Sequence, residues 1–281
     1  MSAGDYHVVR HPNGTCSIGC HDVGEVMHPI VGPVAEAESL YVKGLDLVAR
    51  AGRMDRFCVW DIGMGAAANA LVATRALLGA TPNIEIISFD HTAGALRFAA
   101  EHRDDFQYVA DFIPEINELL ADRDIAFERD GTKVCWRFLE GDFLEELRAR
   151  GNGLPKPDAV LFDAWSPLKN SGMWTVEVFR AIHEALEQSC SLATYSRATC
   201  VRSALLLAGF FVGKGGAVGA KEESTVAAND LTLLQDPLDA GWLEKLQRSH
   251  SGHPLSSDVF TQEPLTNELL EALRNHPQFG Q

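Results

Sequence analysis

From residue 57 onward, short apolar runs rich in β-formers alternate with stretches of helical periodicity, and this rhythm leaves few folds open. Residues 57–60, 84–89, 134–139, 159–162 and 192–195 read as strands. Residues 67–78, 93–102, 143–150, 176–187 and 198–208 read as the helices between and after them. In the fourth helix Val178, Phe179, Ile182, Ala185 and Leu186 share one face. Residues 210–212 and 231–234 close the series as an expected antiparallel pair. The expectation is a Rossmann-like α/β fold, a mostly parallel seven-stranded sheet with helices on both faces.

Three segments fall outside the rhythm. Residues 1–44 combine turn-forming Pro and Gly with His28, Glu36 and Glu38, and read as an amino-terminal cap near the site. The core then spans 45–237, with an insertion at 104–130 that carries a helix around 113–120. Residues 238–281 form a polar tail with helical pieces at 241–247 and 265–274.

The longest apolar run, around 203–213, falls well short of the roughly eighteen residues that suggest a membrane span. The first residues, MSAGDYHVVRHPNG, lack the apolar stretch of a signal peptide, so the cytoplasm is the expected compartment. The six cysteines form no CxxC pair and are expected as free thiols. Cys16, Cys20 and His21 are too few for a tetrahedral metal site, and no second cluster follows, so no metal is expected. A net charge of −15 argues against broad adhesion to nucleic acid but leaves room for a local basic patch from Arg197, Arg202, Lys214 and Lys221. Ordinary solvated surface charge is the plainer reading of those four.

The chemistry-bearing residues gather at strand ends. The run VLFDAWSPLKNSGMW at 160–174 takes a buried strand straight into Asp163, where a ligand can approach. Trp165, Pro167, Asn170 and Trp174 add stacking surface and stiffness that a helix cap does not need, although Trp174 suits core packing equally well. The first strand runs into Asp61, Gly63, Met64 and Gly65, then into a helix of small residues beginning near Asn69. Such a turn lets backbone approach a ligand beside a helix N-terminus. It lacks the third glycine of a dinucleotide fingerprint and the Lys-Ser/Thr of a phosphate loop. The second strand ends in Asp90 and the third in Gly141-Asp142, so four carboxylates are expected along one edge. Carboxylates repel pyrophosphate but hydrogen-bond well to ribose hydroxyls and exocyclic amines, which favours S-adenosylmethionine, a cation, over a dinucleotide.

On these residues the chain resembles a class I S-adenosylmethionine-dependent methyltransferase. It is similar, more narrowly, to the methyltransferase half of the bacterial tRNA 5-methylaminomethyl-2-thiouridine biosynthesis proteins, the MnmC-type family, and to their stand-alone relatives. The matching pieces are GEVMHP at 24–29, Glu36-Ala37 with Tyr41-Val42, DIGMGAAANAL at 61–71 and DAWSPLKNSGMW at 163–174. Ala193-Thr194-Tyr195-Ser196, Val201-Arg202 and Ala208-Gly209-Phe210 follow. The resemblance implies methyl transfer to the aminomethyl nitrogen of a wobble uridine in tRNA. It places Asp163 at the reacting amine. Glu36, Asp61, Gly63, Met64, Gly65, Asn69, Asp90, Asp142 and Asp163 are then the expected cofactor contacts. His28, Trp165, Pro167, Asn170, Trp174 and Lys221 are the expected substrate contacts. The family's glycine-rich run ending in Lys-Arg here ends in Lys221-Glu222, an acid replacing a base. A small-molecule amine or acid as acceptor, or a binding module without catalysis, therefore stay open. No flavin-binding half is seen in the sequence, so a separate flavin-dependent enzyme is the expected source of the aminomethyl precursor.

Overall fold

In chain order the computed structural model, which describes residues 5–28, 30–217, 223–256 and 259–280, begins with an antiparallel ribbon. Its strands are β1 (Tyr6–Arg10), β2 (Cys16–Cys20) and β3 (Glu25–Val26). Helix α1 (Pro33–Ala37) continues into a π-helical turn, Glu38–Lys43, and α2 (Leu47–Ala51) follows. The core opens with β4 (Phe57–Ile62), α3 (Ala68–Leu77), β5 (Asn83–Asp90) and α4 (Gly94–Glu101). After these come α5 (Gln107–Ala110), α6 (Ile113–Asp122), β6 (Asp124–Arg129), β7 (Thr132–Glu140), α7 (Phe143–Arg150) and β8 (Ala159–Phe162). The chain completes with α8 (Val176–Glu184), β9 (Ser191–Thr194), α9 (Thr199–Leu207), β10 (Phe211–Gly215), β11 (Ser224–Ala228), α10 (Ala240–Gln247) and α11 (Asn267–Arg274).

The main sheet has eight strands in the order β10-β11-β9-β8-β4-β5-β7-β6. Strands β9, β8, β4, β5 and β7 are parallel, while β11, β10 and β6 run antiparallel to their neighbours. Alternation along β4 explains its central place. Phe57 and Val59 join one apolar layer with Leu71, Leu96 and Ile116, and Cys58, Trp60 and Ile62 join the opposite layer with Phe179, Ile182 and Leu205. A strand covered on both faces has to be apolar on both, as β4 is up to Asp61 near its end. The tail helices add Leu243, Leu246, Leu270 and Leu273 to the second layer.

Three expectations change. The sheet has eight strands rather than seven because β6, inside the 104–130 insertion, pairs with β7 as a hairpin through Asp130 and Gly131. The last strand lies at β11 rather than 231–234, where Leu231–Leu233 forms a 3-10 turn capped by Asp230. The amino-terminal cap carries a β-ribbon, with Ile18 buried in the first layer and Tyr6 packed on Phe98 of α4. All six cysteines are free thiols.

Candidate active site

Parallel pairing puts the ends of β4, β5, β7 and β8 at one edge, with Ile62 level with both Phe89 and Phe162 and Asp90 level with Glu140. The turn after β4 requires glycine at its first position. Gly63 has φ 85°, and a Cβ there would stand 2.6 Å from the carbonyl oxygen of Asp163. The loops after β4 and β8 therefore almost touch. Gly65 donates its N–H to Asp90 Oδ2 at 2.8 Å, and Ala67, itself left-handed at φ 59°, leads into α3 with no side-chain cap. The first N–H groups of α3 face this edge without a capping side chain.

The four expected acids meet different surroundings. Asp61 is fully buried, and its Oδ2 accepts from Ser88 Oγ at 2.9 Å, which in turn accepts from Trp136 Nε1. Burial, reinforced by the charges of Asp163 and Asp90, pushes the Asp61 carboxyl up to about 7. Burial also raises Asp90, against the lowering effect of hydrogen bonds from Gly65 and Thr92. Asp142 is exposed, and its Oδ1 caps α7 by accepting from the Glu145 N–H at 3.0 Å. Glu140, a fifth acid at the edge, is committed to structure, accepting from the Ala93 N–H at 3.0 Å and pairing with Arg123.

Asp163 sits on a loop held by side chains from five different segments. Asn69 Nδ2 donates to Asp163 Oδ2 at 2.7 Å. The Tyr41 hydroxyl donates to the Phe162 carbonyl, the Tyr195 hydroxyl to the Ala164 carbonyl, and Trp174 Nε1 to the Trp165 carbonyl at 2.8 Å. The Ser166 N–H and hydroxyl both donate to the Glu25 carboxylate on β3. Burial, then the negative charge of Asp163, drives both tyrosines well above their ordinary range, so both hydroxyls keep their protons and stay donors.

Around this loop the expected residues divide. Glu36 is buried and its Oε2 lies 3.2 Å from His28 Nδ1, whereas Glu38 is exposed. Met64 is buried beneath the turn, and Trp165, Pro167 and Asn170 are partly open. Trp174 is a correction: it is 0% exposed, edge-on to Phe162 and Tyr195, and offers no face to a ligand. Arg202 leaves the expected basic patch too, since it is buried and bonded to Glu223, Thr225 and the Ser224 carbonyl. Lys221 lies outside the described residues. Glu25, Tyr41, Ser166 and Tyr195 carry no sequence feature of their own that marks a role. Their one signal is their place inside segments that resemble the family, beside the candidate site residues.

Two buried acceptors at this edge, Asp61 Oδ1 and Asn69 Oδ1, have no hydrogen-bond partner among the described residues. Unpaired buried acceptors suit a ligand rich in donors, and the ammonium of the methionine portion of S-adenosylmethionine is one. The chain matches a family model described as S-adenosyl-L-methionine-dependent methyltransferase over residues 106–230. It is 28% identical over 196 residues to the tRNA 5-methylaminomethyl-2-thiouridine biosynthesis bifunctional protein MnmC of Burkholderia multivorans, covering 66% of this chain and 29% of that protein. Its counterpart in Azoarcus sp. is 29% identical, covering 71% of this chain and 32% of the relative. The chain thus spans about a third or less of the length of these relatives. The crystal structure of MNMC2 from Aquifex aeolicus superposes with a TM-score of 0.69 at 25% identity, covering 96% of this chain and 85% of that one. A parallel sheet whose acid-lined edge carries a glycine turn and the Asp163 loop agrees with these likenesses, and the chain is similar to S-adenosyl-L-methionine-dependent methyltransferases of the MnmC type.

Proposed function

We propose that the chain methylates the aminomethyl nitrogen of 5-aminomethyl-2-thiouridine at the wobble position of tRNA, giving the 5-methylaminomethyl form. The observation that carries this reading is the placement of Asp163. Its carboxylate is tied to Asn69 at the start of α3 while its backbone abuts Gly63, so an acceptor at Asp163 lies beside whatever the glycine turn holds. The names of the relatives supply the acceptor.

In this reading Gly63, Met64 and Gly65 shape the bed for the methionine portion, and Asp61, Asn69 and Glu36 meet its ammonium. Asp90 receives the ribose hydroxyls, and Asp142 the adenine amine. When bound, S-adenosylmethionine supplies a methyl group on a cationic sulfur. Asp163 attracts the acceptor ammonium, takes its proton and orients the freed lone pair in line. Trp165, with Pro167 and Asn170, flanks the base, and His28 braces Glu36 from behind. Residues 1–44 act as the cap, 45–237 as the catalytic core and 238–281 as a packed helical tail. Flavin-dependent chemistry outside these 281 residues prepares the aminomethyl group, and the reaction belongs in the cytoplasm. Among the described residues no helix is long and apolar enough to cross a membrane.

The test is incubation with labelled S-adenosylmethionine and total tRNA from cells lacking the modification. Label entering the wobble nucleoside supports the reading, and its absence with an otherwise active protein refutes it. The charge of −15 and the internal engagement of Arg202 favour a second reading, a small-molecule amine as acceptor. Turnover that weakens steeply with salt supports RNA, and salt-insensitive turnover supports the small amine.

A further inference from the structure

The carbonyls of the Asp163 loop are held from within the core, by Tyr41 and Trp174, both buried, and by Tyr195, partly buried. The outward part of the loop, from Ser166 to Asn170, is tied differently. Ser166 accepts at its carbonyl from the N–H groups of Lys169 and Asn170, closing a turn on itself. Its own N–H and hydroxyl then both donate to one carboxylate, Glu25, 141 residues earlier in the chain. Glu25 is placed by the ribbon, where it pairs with Cys20 in β2. Gly24 comes close to the same loop at Lys169, whose Nζ is 3.6 Å from where a Cβ on Gly24 would lie. The ribbon and the loop thus meet at two adjacent points, with exposed Val26 and Leu168 beside the contact.

We propose that Glu25 is a positioning residue for methyl transfer: through Ser166 it fixes the outer half of the loop that carries Asp163. This rests on the assignment of Asp163 to the acceptor amine. Hydrogen bonds to an ionised acceptor are roughly twice as strong as neutral ones, so a carboxylate that receives both donors of one residue is a firm anchor. Asp163 is three residues from Ser166, and the single peptide path between them passes through Ala164 and Trp165, both already clamped at their carbonyls. Slack at Ser166 therefore reaches Asp163 and Trp165 as a change of angle rather than as unfolding. Near-attack geometry is sensitive to such shifts, and cofactor binding at the glycine turn is not.

The experiment compares Glu25→Gln, Ser166→Ala and the double variant with the parental chain. S-adenosylhomocysteine affinity, KM and kcat for an anticodon stem-loop RNA carrying 5-aminomethyl-2-thiouridine, and hydrogen exchange over residues 163–170 are read on each. The expected result is that each single variant lowers kcat about tenfold, with KM and S-adenosylhomocysteine affinity within about twofold. The double variant should be no worse than either single, because both break one clamp. Exchange over 163–170 should quicken in all three. Unchanged exchange overturns the proposal whatever the acceptor is. So do singles at the parental kcat, fully additive losses, or a KM effect with kcat intact. A parental protein that methylates no RNA, alongside faster exchange in the variants, leaves the clamp standing and refutes the RNA acceptor instead.

Discussion

Asn69, in the first turn of α3, donates its side-chain amide to Asp163 Oδ2 at 2.7 Å, joining the helix after β4 to the loop after β8. One bond thus couples the two loops that meet at the edge of the sheet. Asp90 holds the same segment from the other side, accepting from the Gly65 N–H, so the acids after β8 and β5 bracket the turn after β4.

Asp163→Asn is expected to lower single-turnover methylation at least a hundredfold, the range lost with a general base, while S-adenosylhomocysteine affinity stays within about twofold. The amide keeps an oxygen for Asn69 but loses the charge and the proton acceptor. Asp90→Ala should do the opposite, weakening S-adenosylhomocysteine by roughly ten- to a hundredfold through loss of a charged hydrogen-bonding partner. Calorimetry and rapid quench on both variants check the pair. Parental turnover in Asp163→Asn would reduce that residue to a structural part.

With Asp61 at the methionine ammonium, as proposed, cofactor binding is expected to release a proton. In the ligand-free fold its carboxyl is raised from 3.8 to about 7, chiefly by burial, so it is largely protonated at pH 6. An ammonium beside it favours the carboxylate and lowers that value, so up to about one proton leaves near pH 6 and almost none above pH 8. Calorimetry of S-adenosylhomocysteine in buffers of different ionisation enthalpy measures this. The same group shapes stability. The folded chain holds more protons than the unfolded one between pH 4 and 7, so the Asp61 contribution is greatest at the acid end and is lost as pH rises through about 7. Asp61→Asn should flatten that part of the stability curve.

Gly63→Ala should fail for two reasons at once. The added Cβ would lie 2.6 Å from the Asp163 carbonyl, and φ 85° is strained for any side chain. A loss of about 1–3 kcal/mol is expected from the backbone alone. Urea unfolding should show it, together with loss of S-adenosylhomocysteine binding. A stable variant that binds normally would mean that the two loops are further apart than described.

The two tryptophans of the acceptor loop should separate by assay. Trp174→Phe removes a buried donor to the Trp165 carbonyl and some core volume, for a stability loss of about 2–3 kcal/mol in chemical denaturation. Trp165→Ala, at a partly open position, should leave stability nearly unchanged and raise the acceptor KM. Equal stability losses in both would show that Trp165 is a core residue too.

Residue types and spacing were enough to determine the succession of parallel strands and helices, since strands buried on both faces are apolar on both, as in β8 throughout and in β4 up to Asp61. They also placed Asp61, Asp90, Asp142 and Asp163 at one edge, because parallel strands necessarily end on the same side. Strand β11 is not legible because its Ser, Thr and Ala are only weakly hydrophobic, while the leucines just after it carry the stronger strand-like pattern. The ribbon and β6 are not legible because β1 and β6 are only partly buried and mix charged with apolar residues, so these strands owe their stability to the neighbours they pair with, which no local window contains. The fate of Trp174 and the partnership of Glu25 with Ser166 were decided by tertiary structure alone. Local sequence sets which backbone conformations are favoured, but which side of a tryptophan is covered, or which hydroxyl meets a carboxylate 141 residues away, depends on how the layers pack.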